Sequence, residues 1–262
     1  MTEFIEIEGK RIEIDHEIRD PKRPTLVFLH EGLGCVSMWR DFPAEVAEAT
    51  ECNRLVYSRL GYGQSDLADL PRPTSYMHDE ALIILPALLS ACRINQHIVI
   101  GHSDGGSIAL IYAGHFRPKN LLGIITEAAH VFNEALSVQS VKEARANYLN
   151  TNLREKLARH HEHVDNAFWG WNAVWLHPDF QQWNIEAYLP MIDVPLLAIQ
   201  GLEDQYGTLA QVEAIMEGVG KSAEKKLMPD CRHVPHREQR ALTFNAMVGF
   251  VQRVIGANNN TV

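Results

Sequence analysis

Positive charge is what this chain of 262 residues is short of: 24 Lys and Arg stand against 33 Asp and Glu, a formal net charge of −9. A surface with that balance repels phosphate backbones and anionic headgroups, so neither a nucleic-acid nor a membrane partner is expected. Cysteine is scarce too. Cys35, Cys52, Cys92 and Cys231 make no CxxC pair and no closely spaced framework, which excludes a disulfide scaffold and fits reduced thiols in a cytoplasm. They read as small buried apolar residues. Long apolar runs are missing: the opening MTEFIEIEGKRIEIDHE alternates apolar with charged residues where a secretory leader needs an unbroken apolar core, so a mature chain from Met1 is expected. Internal repeats and low-complexity segments are absent as well, and the closing ANNNTV reads as a frayed tail.

What is there is ordinary globular material, 46% hydrophobic and 22% charged, long enough to bury a sizeable core. Residues 4–7 and 11–18 alternate in period two about EGK and predict a β-hairpin. The next runs lose that alternation: TLVFLH (25–30), RLVYS (54–58), HIVIGH (97–102), LLGIIT (121–126) and PLLAIQG (195–201). Continuous apolar runs are what a parallel sheet covered on both faces requires. Helical patterns over 75–92, 105–115, 209–217 and 238–255 lie among them, which predicts an α/β fold with a mainly parallel central sheet. Residues 128–190 break the alternation. They hold no strand candidate, only helix-favouring sequence, and predict a helical lid inserted after the sixth strand, with a core domain formed by 1–127 and 191–262.

The chemistry gathers around VIGHSDGGSIAL. Gly101-His102-Ser103-Asp104-Gly105 fits G-x-S-x-G at a point where a strand run gives way to a helical one. A serine on so sharp a turn points outward, and only residues lacking Cβ on either side let strand and helix approach. A serine hydroxyl needs a base, and the base needs a carboxylate to orient it. Asp204, after PLLAIQG, and His233, after KKLMPD, are the candidates. Glu127 and Glu203 are alternative acids; His236 is an alternative base, better read as a loop or helix-start residue.

These motifs together resemble the α/β-hydrolase superfamily over nearly the whole chain. FLHEGLG resembles the His-Gly oxyanion loop, SRLGYGQSD the loop after the fourth strand, GHSDGG the nucleophile elbow, GLEDQYG the acid loop and RHVPHRE the base loop. Two positions depart from the pattern: Glu31 stands where glycine follows His30, and Arg232 where glycine precedes His233. The resemblance implies an α/β-hydrolase fold, Ser103, Asp204 and His233 as catalytic residues, and His30 as a support of the oxyanion loop. It also implies oxyanion donors at the N–H of Asp104 and of Gly32 or, given Glu31, of Leu33. The Asp104 side chain reads as a cap or solvated residue.

The reaction expected is hydrolysis of carboxylic esters of small to medium apolar substrates through an acyl-enzyme, with no cofactor and no metal. HHEHVD (160–165) lacks metal-ligand spacing and reads as solvated lid surface. Trp169, Trp171, Trp175 and Trp183 are candidates for an apolar pocket in the lid. Carbon-carbon bond hydrolysis, enol-lactone or thioester cleavage would use the same residues, and a non-catalytic small-molecule-binding module is the alternative of another class. The partner expected is a small ester, bound by a monomer or homodimer.

Overall fold

The structure, a computed structural model, describes residues 3–259. Eight strands form one sheet in the order β1-β2-β4-β3-β5-β6-β7-β8. They are β1 (Glu3–Ile7), β2 (Lys10–Glu17), β3 (Thr25–Leu29), β4 (Asn53–Tyr57), β5 (His97–His102), β6 (Leu121–Glu127), β7 (Leu196–Gly201) and β8 (Ala223–Met228). The β1–β2 and β2–β4 pairs are antiparallel and every other pair is parallel. The predicted hairpin is present, with Ile7 opposite Lys10. Its two turn residues, Glu8 and Gly9, both have positive φ, the geometry whose twist matches that of the flanking strands.

The unbroken apolar runs sort themselves by parity, because successive side chains point to opposite faces. Val27, Leu29, Val99 and Ile124 pack on one face against Ile108, Leu110 and Ile111 of the helix Asp104–Phe116. Leu26, Phe28, Ile98, Ile100 and Ile125 pack on the other, against Phe42, Val46, Phe250 and Val251. All four cysteines are free and buried, and burial pushes the thiols of Cys35 and Cys231 up to about 11 and about 12. Among the described residues no helix is long and apolar enough to cross a membrane.

Three elements differ from the expectation. The segment 75–92 is α-helical over Tyr76–Asp79 and Leu85–Ala91 but widens to a π-helix over Glu80–Ile84. Pro86 accounts for it: proline offers no N–H, and its ring crowds the carbonyl four residues back. The last helical segment is two pieces, Pro235–Glu238 and Arg240–Asn259. Of the expected tail, 257–259 continue that helix, while 260–262, like Met1, lie outside the described residues. The helices Val36–Trp39 and Phe42–Ala49 have no counterpart in the periodicity reading.

Between β6 and β7 the chain is helical, over Ala135–Asn150, Leu153–Leu157 and Val164–Trp175, then in 3-10 turns at Pro178–Gln182 and Glu186–Met191. Its one extended contact is an isolated bridge, Phe132 to Asn184. In Val164–Trp175 the buried Phe168, Trp171 and Trp175 recur at helical spacing, and this stripe is the face the helix buries.

Candidate active site

Ser103 closes β5 and caps the helix Asp104–Phe116, with φ of 54° and ψ of −116°. A positive φ is costly for a residue with a Cβ, by roughly 1–3 kcal/mol, and persists only where the surroundings over-determine it. Here they do. The Ser103 N–H donates to the Glu127 carbonyl at 2.8 Å, and the Ser103 carbonyl accepts from the N–H of Gly106 at 2.8 Å and of Ser107 at 3.1 Å. The flanking glycines are required by contact: a Cβ on Gly101 would overlap the Gly105 backbone, and one on Gly105 would overlap the Leu29 carbonyl. Gly105→Ala is therefore expected to destabilise the fold by about 3 kcal/mol or more, since backbone and not a flexible side chain must move. Its melting temperature checks this; an unchanged value contradicts the packing described.

The structure brings Ser103, His233 and Asp204 together from three loops at the carboxyl ends of β5, β8 and β7. His233 Nε2 lies 3.0 Å from Ser103 Oγ, and Nδ1 lies 2.8 and 2.9 Å from the two Asp204 oxygens. A carboxylate only accepts, so Nδ1 carries the proton and Nε2 is left to accept the serine hydroxyl. Asp204 is held by more than the imidazole: the N–H of Tyr206 donates to it at 2.8 Å and Gln200 Nε2 at 2.8 Å. Burial pushes its carboxyl up, but its interaction with His233 and the hydrogen bond from the Tyr206 N–H outweigh burial and leave it below its ordinary value.

The rival acids are elsewhere. Glu127 Oε2 accepts from the His236 N–H at 2.9 Å and lies 3.0 Å from His236 Nδ1, so this pair is separate from His233. His236 sits in the helix Pro235–Glu238 with its ring on Trp39, centroids 4.6 Å apart. Glu203 is exposed.

The loop after β3 is fixed from beneath. His30 Nε2 accepts from the Arg59 N–H at 3.0 Å, and His30 Nδ1 lies 2.7 Å from the Glu31 carbonyl. The fully buried Arg59 donates to the carbonyls of His30 and Glu31, at 2.5 and 2.9 Å. Gly32 and Leu33 line the same cavity as Ser103 and His233. Asp104 N–H, on the first residue of a 13-residue helix, and Gly32 N–H have no acceptor among the described residues.

The Asp104 side chain corrects an expectation: it neither caps the helix nor meets solvent. It is fully buried, accepts from the Tyr76 hydroxyl at 2.6 Å and lies 3.7 Å from Arg59. The Tyr76 hydroxyl in turn accepts from Trp175 Nε1 at 3.1 Å. The residue after Ser103 thus anchors a wall of the cavity.

That cavity, about 90 Å³, is lined by Leu33, Val141, Trp171 and Trp175, with Glu31, His130 and Tyr206 among its polar groups. Trp169 and Trp183 do not line it. Trp169 packs against Tyr148 and Phe168 beneath Arg145, on a different side of its helix from Trp171 and Trp175, and Trp183, in extended backbone just after the 3-10 turn Pro178–Gln182, stacks on Phe180. His130 was not singled out in the sequence; its signal is a polar residue three positions past the end of β6. Burial pushes its imidazole down to about 3, so it is neutral.

HHEHVD is not merely solvated surface either. His161 is buried: its Nδ1 accepts from the Gly63 N–H at 2.9 Å and its Nε2 lies 2.9 Å from the Leu33 carbonyl, tying the insertion to the loop after β3. Among the described residues no group of three or more His, Cys, Asp and Glu is arranged to hold a metal ion.

A mostly parallel eight-stranded sheet, a serine on a strained strand-to-helix turn and an imidazole and carboxylate delivered by later loops define the class of α/β hydrolase folds. The chain belongs to the alpha/beta hydrolase family, whose model matches residues 26–246. A proline iminopeptidase of Lactobacillus helveticus (strain DPC 4571) is 28% identical over 104 residues, 40% of this chain and 35% of that enzyme. The match therefore spans about a third of that relative's length. Among solved structures, a carboxylesterase of the thaumarchaeon Nitrososphaera gargenis superposes with a TM-score of 0.77 at 17% identity, covering 97% of this chain and 100% of that one. The enol-lactonase of Burkholderia xenovorans LB400 gives 0.75 at 17%, covering 95% and 99%. At such identities the likeness shows the fold.

Proposed function

We propose that the protein is a serine hydrolase that cleaves carboxylic esters with a small, uncharged acyl group. The observation that carries this is the unbroken line of contacts from Asp204 through His233 to Ser103 beside a small, largely apolar cavity. Ser103 Oγ attacks the ester carbonyl carbon as its proton passes to His233 Nε2. The tetrahedral oxyanion takes the N–H groups of Asp104 and of Gly32 or Leu33, each worth roughly 3–4 kcal/mol by removal. As the intermediate collapses, the alcohol leaves with the proton from His233. A water then attacks the acyl carbon as its proton passes to the same nitrogen, and collapse releases the acid while His233 returns that proton to Ser103 Oγ.

Substrate size follows from the cavity. About 90 Å³ is small beside the roughly 300–1,000 Å³ of drug-sized ligand pockets, and the Leu33, Val141, Trp171 and Trp175 side chains that line it favour an uncharged, apolar acyl group. Residues 128–190 act in this reading as a cap on a core formed by 1–127 and 191–262, since Val141, Trp171 and Trp175 supply one side of the cavity. Hydrolysis of p-nitrophenyl esters of increasing acyl length tests the proposal. Turnover greatest with acetyl or propionyl supports it, and a failure to turn over any short ester contradicts it. Trp171→Leu is expected to raise kcat/KM for hexanoyl relative to acetyl by about tenfold; an unchanged ratio means the indole does not bound the acyl site.

A further inference from the structure

One charge pair, a buried imidazole and a partly buried carboxylate, lies outside the serine, histidine and aspartate and touches three of the loops around them. Glu31 occupies the position that departs from the glycine of the family pattern, on the loop whose amides face Ser103. Its Oε2 lies 3.4 Å from Nδ1 of His102, the residue just before the nucleophile. His102 is fully buried, and its other ring nitrogen, Nε2, lies 2.7 Å from the carbonyl of His233. Nε2 therefore carries a proton, while Nδ1 has no hydrogen-bond partner among the described residues and only the Glu31 carboxylate at ion-pair distance, a contact that favours a second proton there and hence the imidazolium.

We propose that Glu31 and His102 are positioning residues for Ser103: their ion pair fastens the oxyanion loop to the base loop and neutralises a carboxylate on the cavity wall. The inference rests on the serine-hydrolase reading above.

The electrostatics agree with the geometry. Burial pushes the His102 imidazole down, but the nearby Glu31 carboxylate, helped by Glu127, outweighs burial and leaves it above its ordinary value. Burial likewise pushes the Glu31 carboxyl up, and His102 outweighs it, holding the carboxyl well below the usual range. The other groups facing His102 are the rings of His233 and His236, each with its centroid 5.2 Å away, and that of Trp39 at 6.2 Å. His236 already has Glu127 as its partner. The consequence reaches the reaction because negative charge develops at amides on the loop that carries Glu31. A carboxylate there without its cation opposes the oxyanion, and with both present the two charges cancel.

A double-mutant cycle on the short-ester reaction separates this role from simple packing. In His102→Gln the amide still offers an N–H to the His233 carbonyl but carries no charge. Its kcat is expected to fall by about ten- to a hundredfold with little change in KM. Adding Glu31→Gln is expected to regain most of that loss, because the exposed carboxylate is gone. A double variant no faster than His102→Gln overturns the proposal.

The wild-type protein supplies a second test that needs no substitution at His102. A raised imidazole pKa keeps the proton at lower pH and loses it as pH rises, so kcat is expected to decline on the alkaline side. Glu31→Gln is expected to flatten that decline, because no carboxylate is left unpaired when His102 loses its proton. A wild-type profile flat from neutrality to pH 10 also overturns the proposal. Labelling of wild-type Ser103 by a fluorophosphonate distinguishes the two levels of argument: no label removes the serine-hydrolase reading and this inference with it, whereas label without rescue removes this inference alone.

Discussion

Ser103→Ala is expected to lower kcat/KM for a short ester by about 10⁴-fold or more while leaving the fold intact. The hydroxyl is the atom that His233 Nε2 meets at 3.0 Å, and no other hydroxyl is hydrogen-bonded to that nitrogen among the described residues. Stability should hardly move, since the three hydrogen bonds that fix the turn use the backbone of residue 103 and survive the change. Ser103→Gly carries the same loss of activity with a different signature. Glycine accepts a φ of 54° without strain, so this variant should melt higher than the wild type, by an amount corresponding to roughly 1 kcal/mol. An inactive protein that is more stable than its parent is the expected mark of backbone strain held at a working residue. Steady-state kinetics and a thermal melt on the two variants check both halves.

Asp204→Asn is expected to cost about 10⁴-fold in kcat, close to the effect of losing the serine. Each Asp204 oxygen is already an acceptor: the Tyr206 N–H and, at 3.3 Å, the Gly207 N–H donate to Oδ1, and Gln200 donates to Oδ2. An amide cannot accept at both positions. If its oxygen stays with the backbone N–H groups, its NH₂ faces His233, and Nδ1 must become the acceptor. The imidazole proton then resides on Nε2, where it blocks transfer from Ser103. Because the native carboxyl titrates below its ordinary value, its share of stability is full above about pH 3.8 and is lost as pH falls through the lower folded value. The asparagine variant should lose that acid-side dependence. Near-wild-type turnover by Asp204→Asn would return the acid role to another carboxylate, and Glu127 is excluded from it by its contact with His236.

The parts of the fold read directly from the sequence are those where local pattern and tertiary demand agree. The runs at β3, β5, β6 and β7 are apolar throughout because both faces of those strands are covered, and no helical period produces such runs. Ser103, Asp204 and His233 were legible as a set because each follows a strand in a fixed order, and the glycines beside Ser103 because only missing Cβ atoms allow that turn. β8 was harder: AEKKLM is an edge strand with four residues exposed or half-exposed at its centre, and its lysines discourage further pairing rather than announce a strand. The supports of the site were least legible. Arg59 under the loop after β3, His161 on Leu33 and His102 between Glu31 and His233 join residues 28 to 131 positions apart, and contacts at such separations leave no periodic trace. The tryptophans divide for a related reason. Composition put four of them in one segment, but only the phase of the helix Val164–Trp175 sets Trp171 and Trp175 on the cavity and Trp169 off it, and Trp183 lies outside any helix, stacked on Phe180.

The central claim is that Ser103 is a nucleophile activated by His233 and Asp204. Intact-protein mass spectrometry after exposure to a fluorophosphonate, followed by peptide mapping, tests it most directly. The account predicts a single adduct, on Ser103, that forms at neutral pH and is lost in His233→Ala. No adduct, or one on a residue other than Ser103, would contradict it.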